Sequence, residues 1–91
     1  MPRPRLCRKI ALSPDVTFYK PQGIPLRELK TVELTHEEWE ALRLKQVEDL
    51  DQIAAAEKMK TSQSTFQRIL SSAQKKVAQA IVNGYAIKIL K

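Results

Sequence analysis

Residues 50–70 read L-D-Q-I-A-A-A-E-K-M-K-T-S-Q-S-T-F-Q-R-I-L, and this stretch decides the fold. Its pattern predicts two helices joined by a tight turn. The first covers about Asp51 to Met59, and the turn is Lys60-Thr61. Ser62 suits the N-cap of the second helix, because its hydroxyl accepts an otherwise orphaned backbone N–H. Small residues Ala54, Ala55 and Ala56 let a second helix cross closely. Phe66, Ile69, Leu70, Ala73 and Val77 then recur at helical spacing as an apolar stripe. Gln63, Ser64, Gln67, Arg68, Ser71 and Lys75 fall on the other face. A short helix, a short turn and a longer second helix make a helix-turn-helix unit, whose second helix enters the DNA major groove.

Helix-turn-helix units tend to carry Ala at their fifth position, Gly at the ninth and apolar residues near the fifteenth and eighteenth. Counting from Gln52, those places hold Ala56, Lys60, Phe66 and Ile69. Three fit and Lys60 does not. Gly is favoured there because the turn wants positive φ, which costs a residue with a Cβ about 1 kcal/mol. A strained or altered turn is therefore expected at Lys60. A helical hairpin without a DNA role would share the same pattern.

A chain of 91 residues is one small domain with a modest core, which a dimer would help to stabilise. No apolar run approaches the roughly 20 residues of a membrane span, and no signal-peptide pattern is present. The lone Cys7 offers no disulfide framework and fits a reducing compartment, so a cytoplasmic protein is expected. With one His and no second Cys, neither a metal site within one subunit nor a cofactor is expected.

The net charge of +6 is unevenly spread. Residues 1–30 hold seven cations against two acids, +5; residues 31–57 hold two against eight, −6; residues 58–91 hold seven cations and no acid, +7. Positive charge thus sits on the reading helix and the N-terminal arm, the footprint expected for a polyanion partner. No segment joins a wide apolar face to a basic one in the manner of a membrane-surface helix.

Residues 1–9, M-P-R-P-R-L-C-R-K, form a basic arm. Arg3 and Arg5 either follow DNA phosphates and the minor groove, as basic arms do, or belong to a solvated tail. A short strand is expected near Ile10 to Leu12 and another over Val16 to Tyr19. Pro21 to Pro25 is a loop, and Leu26, Leu29 and Val32 anchor a helical turn or an irregular segment. The helical core then spans residues 35–83. Thr35-His36-Glu37-Glu38 is a capping box, with Leu34 and Trp39 as a hydrophobic staple, and this helix runs to about Val47. Its Trp39, Leu42, Leu44 and Val47 span a broad arc, one side for the helix-turn-helix and another for strands or a second subunit. Acidic Glu37, Glu38 and Glu40 suit the positive end of its dipole. The reading helix continues to Val82, where Asn83-Gly84 caps it. Residues 85–90 form a C-terminal strand that needs a partner, from Val16 to Tyr19 or the region of Ile10, in the same chain or in a second copy. No nucleophile–base pair and no phosphate-cradling Gly loop exists, so no enzyme is expected.

Four motifs together resemble the prokaryotic family known as domain of unknown function 134. Met1 to Arg8 match M-P-R-P-[RK]-x-[CR]-R. Phe18 to Leu26 are close to F-x-P-x-G-I-P-L, with one extra residue before the proline. Glu38 to Leu44 match E-[LW]-E-A-L-R-L, and Ala55 to Leu70 match A-A-x-x-M-x-x-S-x-x-T-F-x-R-I-L. The resemblance implies a DNA-binding protein whose helix-turn-helix is similar to region four of bacterial sigma factors. The chain departs from the family pattern at Lys60, where Gly is usual, and at Gln63, where Arg is usual.

The expected fold is mainly α: a helix-turn-helix three-helix core with short β-strands near the N- and C-termini. The expected function is a homodimeric, sequence-specific regulator of transcription that binds double-stranded DNA. Ser62, Ser64 and the backbone at the helix start would hold phosphates. Gln63, Gln67 and Arg68 would face base edges. Ser71 and Lys75 would meet the flanking backbone, Lys60 another phosphate, and Thr65 belongs to the same interface. The alternative is a protein-interaction module that grips another regulator or a polymerase subunit. RNA is a weaker fit, since the chain lacks a sheet of stacking aromatics.

Overall fold

The structure is a computed structural model and describes residues 14–91. The arm residues Arg3 and Arg5, the thiol of Cys7 and the strand expected near Ile10 to Leu12 lie outside the described residues. In chain order the elements are β1 (Phe18–Tyr19), a 3₁₀ turn (Leu26–Glu28), β2 (Thr31–Leu34), α1 (His36–Leu42), α2 (Gln52–Lys58), α3 (Gln63–Asn83) and β3 (Ala86–Ile89). Three helices with short strands near both ends make the mainly α fold expected.

The start of α1 follows from its cap. Thr35 Oγ1 accepts the Glu38 N–H at 3.1 Å, and the Thr35 N–H donates to Glu38 Oε1 at 2.9 Å. Leu34, just outside the cap, packs in one cluster with Trp39. The end of α1 differs from expectation. The α-helical pattern stops at Leu42, and Arg43–Val47 form a π-helical turn. The wider turn keeps Leu44 buried and leaves Val47 76% exposed, so Val47 is not part of the core. Half-buried Arg43 grips Glu40 with two bonds of 2.8 and 2.9 Å. Asp49, at φ 59°, ends the segment.

β3 is the central strand of a three-stranded sheet of order β1-β3-β2. It runs antiparallel to β1, with Phe18 opposite Lys88 and Tyr19 opposite Ile87. It runs parallel to β2, with Val32 opposite Ile87 and Leu34 opposite Ile89. Parallel neighbours require a long crossover, and here the three helices form it. The C-terminal strand therefore finds both its partners in its own chain, one of the two alternatives expected. β2 was not expected as a strand. Only Leu26 of the expected anchors lies in a helical turn, while Val32 is a strand residue whose side alternates with Thr31 and Glu33.

Two apolar clusters fill the interior, and α3 joins them. The first holds Ala41, Leu44, Ala55, Ala56, Phe66 and Leu70, where α1 and α2 close on the first half of α3. The second holds Leu34, Ala73 and Ile89, where the sheet closes on its second half. Phe66 is fully buried and makes the centre of the helix-turn-helix. Two of the three alanines of α2 do what small residues allow: Ala55 and Ala56 sit at most 2% exposed between α2 and its neighbours, while Ala54 is half-buried.

Candidate nucleic-acid interface

α2 begins at Asp51, whose Oδ1 accepts the Ala54 N–H at 2.8 Å. It ends in a two-bond motif. The Lys60 N–H donates to the Glu57 carbonyl at 3.0 Å, and the Thr61 N–H donates to the Ala56 carbonyl at 3.0 Å. This is the Schellman pattern, which sets the residue after the cap in the left-handed region. That residue is Lys60, at φ 55°. The expected strain is present: the turn keeps its usual geometry although a residue with a Cβ stands in it. The Lys60 side chain is thereby held exposed at the junction of the two helices.

Ser62 caps α3 as expected. Its Oγ accepts the Thr65 N–H at 3.1 Å and bonds Thr65 Oγ1 at 3.0 Å, so the hydroxyl is committed to the cap. The N–H groups of Gln63 and Ser64 have no acceptor within the helix, a feature of every helix start. Gln52, which sequence reasoning did not single out, donates its Nε2 to the Gln63 carbonyl at 3.3 Å and stitches the two helix starts together.

Each residue of α3 turns about 100° from the last, so Phe66 toward the core places Ser64, Arg68, Ser71 and Lys75 on the opposite side. All four are exposed, as are Gln63 and Gln67 on one flank. Thr65 lies on the other flank, half-buried toward α1. There its Oγ1 lies 3.4 Å from Arg68 Nη2, so it steadies Arg68 from behind. Gln67 Nε2 donates to Ser71 Oγ at 3.1 Å, pairing two of the expected contacts with each other. Among the described residues, no carboxylate forms an ion pair with Lys60, Arg68 or Lys75. The face thus offers unneutralised cations between neutral donors and acceptors.

The neighbouring Lys76 behaves otherwise. Its Nζ meets Glu38 Oε1 at 2.8 Å and the Glu33 carbonyl at 2.9 Å, and Ser72 Oγ donates a short hydrogen bond to Glu38 Oε2. Glu38 is 6% exposed, the one buried charged residue among those described. Burial alone would push its pKa up. The hydrogen bonds from Lys76, Ser72 and the Thr35 N–H outweigh burial and hold the carboxyl below its ordinary range. The carboxylate therefore ties the start of α1 to the middle of α3 and fixes how α3 stands on the domain. Sequence reasoning saw Glu38 as the second half of a capping box and as an acid suited to the helix dipole, not as a link to α3. Arg43 is likewise spent: its hydrogen bonds to Glu40 raise its pKa further, with Glu48 adding a weaker contact at 3.3 Å.

A tight turn between two short-capped helices, with a polar cationic face on the second, defines a helix-turn-helix domain, here closed by a three-stranded sheet. The chain belongs to the family described as Protein of unknown function DUF134, which it matches over residues 1–91. It is 53% identical over 89 residues to the UPF0251 protein of Moorella thermoacetica, covering 98% of this chain and 60% of that one. It is 53% identical to the UPF0251 protein of Thermoanaerobacter pseudethanolicus, over 98% of this chain and 75% of that one. The relative from Pelotomaculum thermopropionicum is 49% identical, over 98% of this chain and 67% of that one. The chain thus spans three-fifths to three-quarters of the length of these relatives. No solved structure matches it.

Proposed function

We propose that this protein is a sequence-specific DNA-binding regulator of transcription that inserts the first half of α3 into the major groove. The observation that carries the reading is the exposed row Ser64, Arg68, Ser71 and Lys75, with cations unpaired among the described residues, on a helix rooted by fully buried Phe66. A rigidly held helix with a free cationic face fits the width of a B-form major groove. Arg68 reads guanine and the flanking Gln63 and Gln67 read adenine, each good bidentate pair giving about 1–3 kcal/mol of discrimination. Lys75 and Lys60 meet phosphates on either side, and the free N–H groups of Gln63 and Ser64 hold another. Thr65 and Ser62 act through Arg68 and the cap. Arg3 and Arg5 extend the contact along the backbone. The reading is of a cytoplasmic protein that works on DNA without catalysis. No helix of the described residues is long and apolar enough to cross a membrane. Two copies on an inverted repeat complete the reading.

Selection of bound duplexes from a random library at near-physiological salt tests it. Enrichment of one motif is expected, and an inverted repeat would give the dimer and its spacing. Enrichment of a single half-site removes the two-fold dimer. Salt-sensitive background binding without any enriched motif would overturn sequence-specific reading.

A further inference from the structure

The second half of α3 differs in chemistry from the first. Residues 77–87, V-A-Q-A-I-V-N-G-Y-A-I, are the longest stretch without a charged side chain in a sequence that is 29% charged. A solvent-facing helix surface is ordinarily polar and charged. Here Ala78, Ile81 and Val82 lie within about 100° of one another around the helix, and all three are exposed. Val82 is 81% exposed and Ile81 73%. Beside them lies a groove of about 220 Å³ lined by Tyr19, Pro21, Ala80, Ile81, Tyr85 and Ile87. Among the described residues, Lys20 is the one charged side chain that lines it. Its ammonium is held by the carbonyls of Ile24 at 2.7 Å and Pro21 at 3.3 Å. Exposed apolar surface gathered in one place, rather than scattered singly, marks an interaction site.

We propose that this surface is the interface between two copies of the chain, with Val82 of each copy seated in the groove beside Ile81 of the other. An isologous contact needs a knob and a receptacle on the same patch, because the same residues meet from both sides. Charge selects the occupant. All seven charged residues of 58–91 are cations, and a two-fold contact centred on any of them would set like charges across the axis. Residues 77–87 bring none. An acidic protein or a polyanion finds no cation on the exposed patch, and a basic partner finds no acid, so neither is favoured over a second copy.

Spacing supports the same occupant, and this part alone rests on the proposed reading of DNA. Dimeric helix-turn-helix proteins bind half-sites about 34–36 Å apart. Gln67 is the middle of the exposed set from Gln63 to Ser71, and Ala80, at the centre of the patch, lies about 20 Å further along α3 at 1.5 Å per residue. A two-fold axis at the patch therefore sets the two reading centres up to about 40 Å apart, and an inclined pair of helices meets the required span. A contact at the reading turns themselves would hold the centres too close.

The test uses the full chain without DNA. Sedimentation equilibrium from micromolar to millimolar concentration should show a monomer–dimer equilibrium. A mixed sample of labelled and unlabelled chains should give NOEs between molecules from the Val82 methyls to the Tyr85 ring and Ile81. Val82→Lys, at an exposed position, should retain helix content and weaken association at least tenfold, while Val47→Lys, on the exposed apolar residue at the end of the π turn, should leave it unchanged. A chain that stays monomeric throughout would overturn the proposal and leave the patch to another protein. So would association that survives Val82→Lys, or contacts between molecules that fall elsewhere. DNA then separates this inference from the reading it draws on. Val82→Lys should keep its affinity for a half-site and lose cooperative binding to the inverted repeat. A dimer with these contacts but no enriched DNA motif would overturn the DNA reading and leave the interface standing.

Discussion

Lys75 and Lys76 are neighbours in sequence and opposites in the structure. Lys76 is folded into the domain by buried Glu38 and the Glu33 carbonyl, with Ser72 sharing the same carboxylate. Lys75, one step around the helix, meets no carboxylate among the described residues, as do Arg68 and Lys60. One face of α3 thus spends its polar groups on holding the helix in place, and the other leaves its cations exposed and without an ion-pair partner among the described residues. A count of positive charge along the chain cannot tell these two uses apart. Tertiary position does, because only a residue that faces α1 can reach Glu38.

The largest break in this contrast comes from removing the root that both faces share. Phe66→Ala empties the centre of the helix-turn-helix and should cost about 3–5 kcal/mol, read from chemical denaturation. Its loss should abolish DNA binding by unfolding, so it marks the upper limit of any effect on α3.

The structural face alone is tested by Glu38→Gln. Charge-assisted bonds to Lys76 and Ser72 are weakened and the capping box is disturbed, at an expected cost of about 2–3 kcal/mol. The acid dependence follows from the same carboxylate. Its pKa in the folded chain lies below its ordinary value of 4.5, so its stabilising effect is complete above that value and is lost as pH falls through the lower folded pKa. Unfolding free energy of the unaltered protein should therefore drop on acidification below pH 4.5, and the Glu38→Gln protein should lose less over the same range.

The outward face is tested on DNA. Arg68→Ala should leave stability nearly unchanged while relaxing preference at one base pair by about 1–3 kcal/mol. Equal weakening on every duplex would instead assign Arg68 to a phosphate. Lys75→Ala should flatten the dependence of log affinity on log salt by about 0.9, the share of one phosphate contact. Lys76→Ala should leave that slope alone and lower stability, which makes the adjacent pair the sharpest form of the comparison.

The smallest effect falls on the turn. Lys60→Gly relieves a left-handed residue with a Cβ and should raise stability by up to about 1 kcal/mol, offset in part by the greater freedom of Gly in the unfolded chain. If Lys60 meets a phosphate, the same substitution weakens DNA binding. Stability and affinity would then move in opposite directions in one variant.

Local chemistry was legible along the chain, and long-range pairing was not. The capping box at Thr35, the strained Lys60, the Ser62 cap, Gly84 at φ 72° and the stripe through Phe66 all depend on residues a few positions apart. β2 depends on β3, more than fifty residues later, and strand propensity takes its strength from such neighbours. A signal was present in the alternation of Val32 and Leu34 with Thr31 and Glu33. The Glu38 bonds to Ser72 and Lys76 join residues 34 and 38 positions apart, and the capping box that marks Glu38 locally says nothing of this reach to α3. The π turn after Leu42 follows from burying Leu44 while Arg43 reaches two acids, a compromise set by packing rather than by propensity. Of the interface, the outward set was legible from helical period alone. The supporting parts, Thr65 behind Arg68 and Gln52 on the Gln63 carbonyl, needed coordinates.

The most direct test of the central claim is a map of backbone amide shifts as a duplex carrying the selected motif is added to the labelled protein. The largest changes should fall between Lys60 and Lys75, strongest at Gln63, Ser64, Gln67 and Arg68, with β3 and Trp39 nearly silent. Changes centred on Tyr19, Trp39 and Ile87 with α3 unmoved, or none at all, would contradict the assignment of the outward face of α3 to DNA.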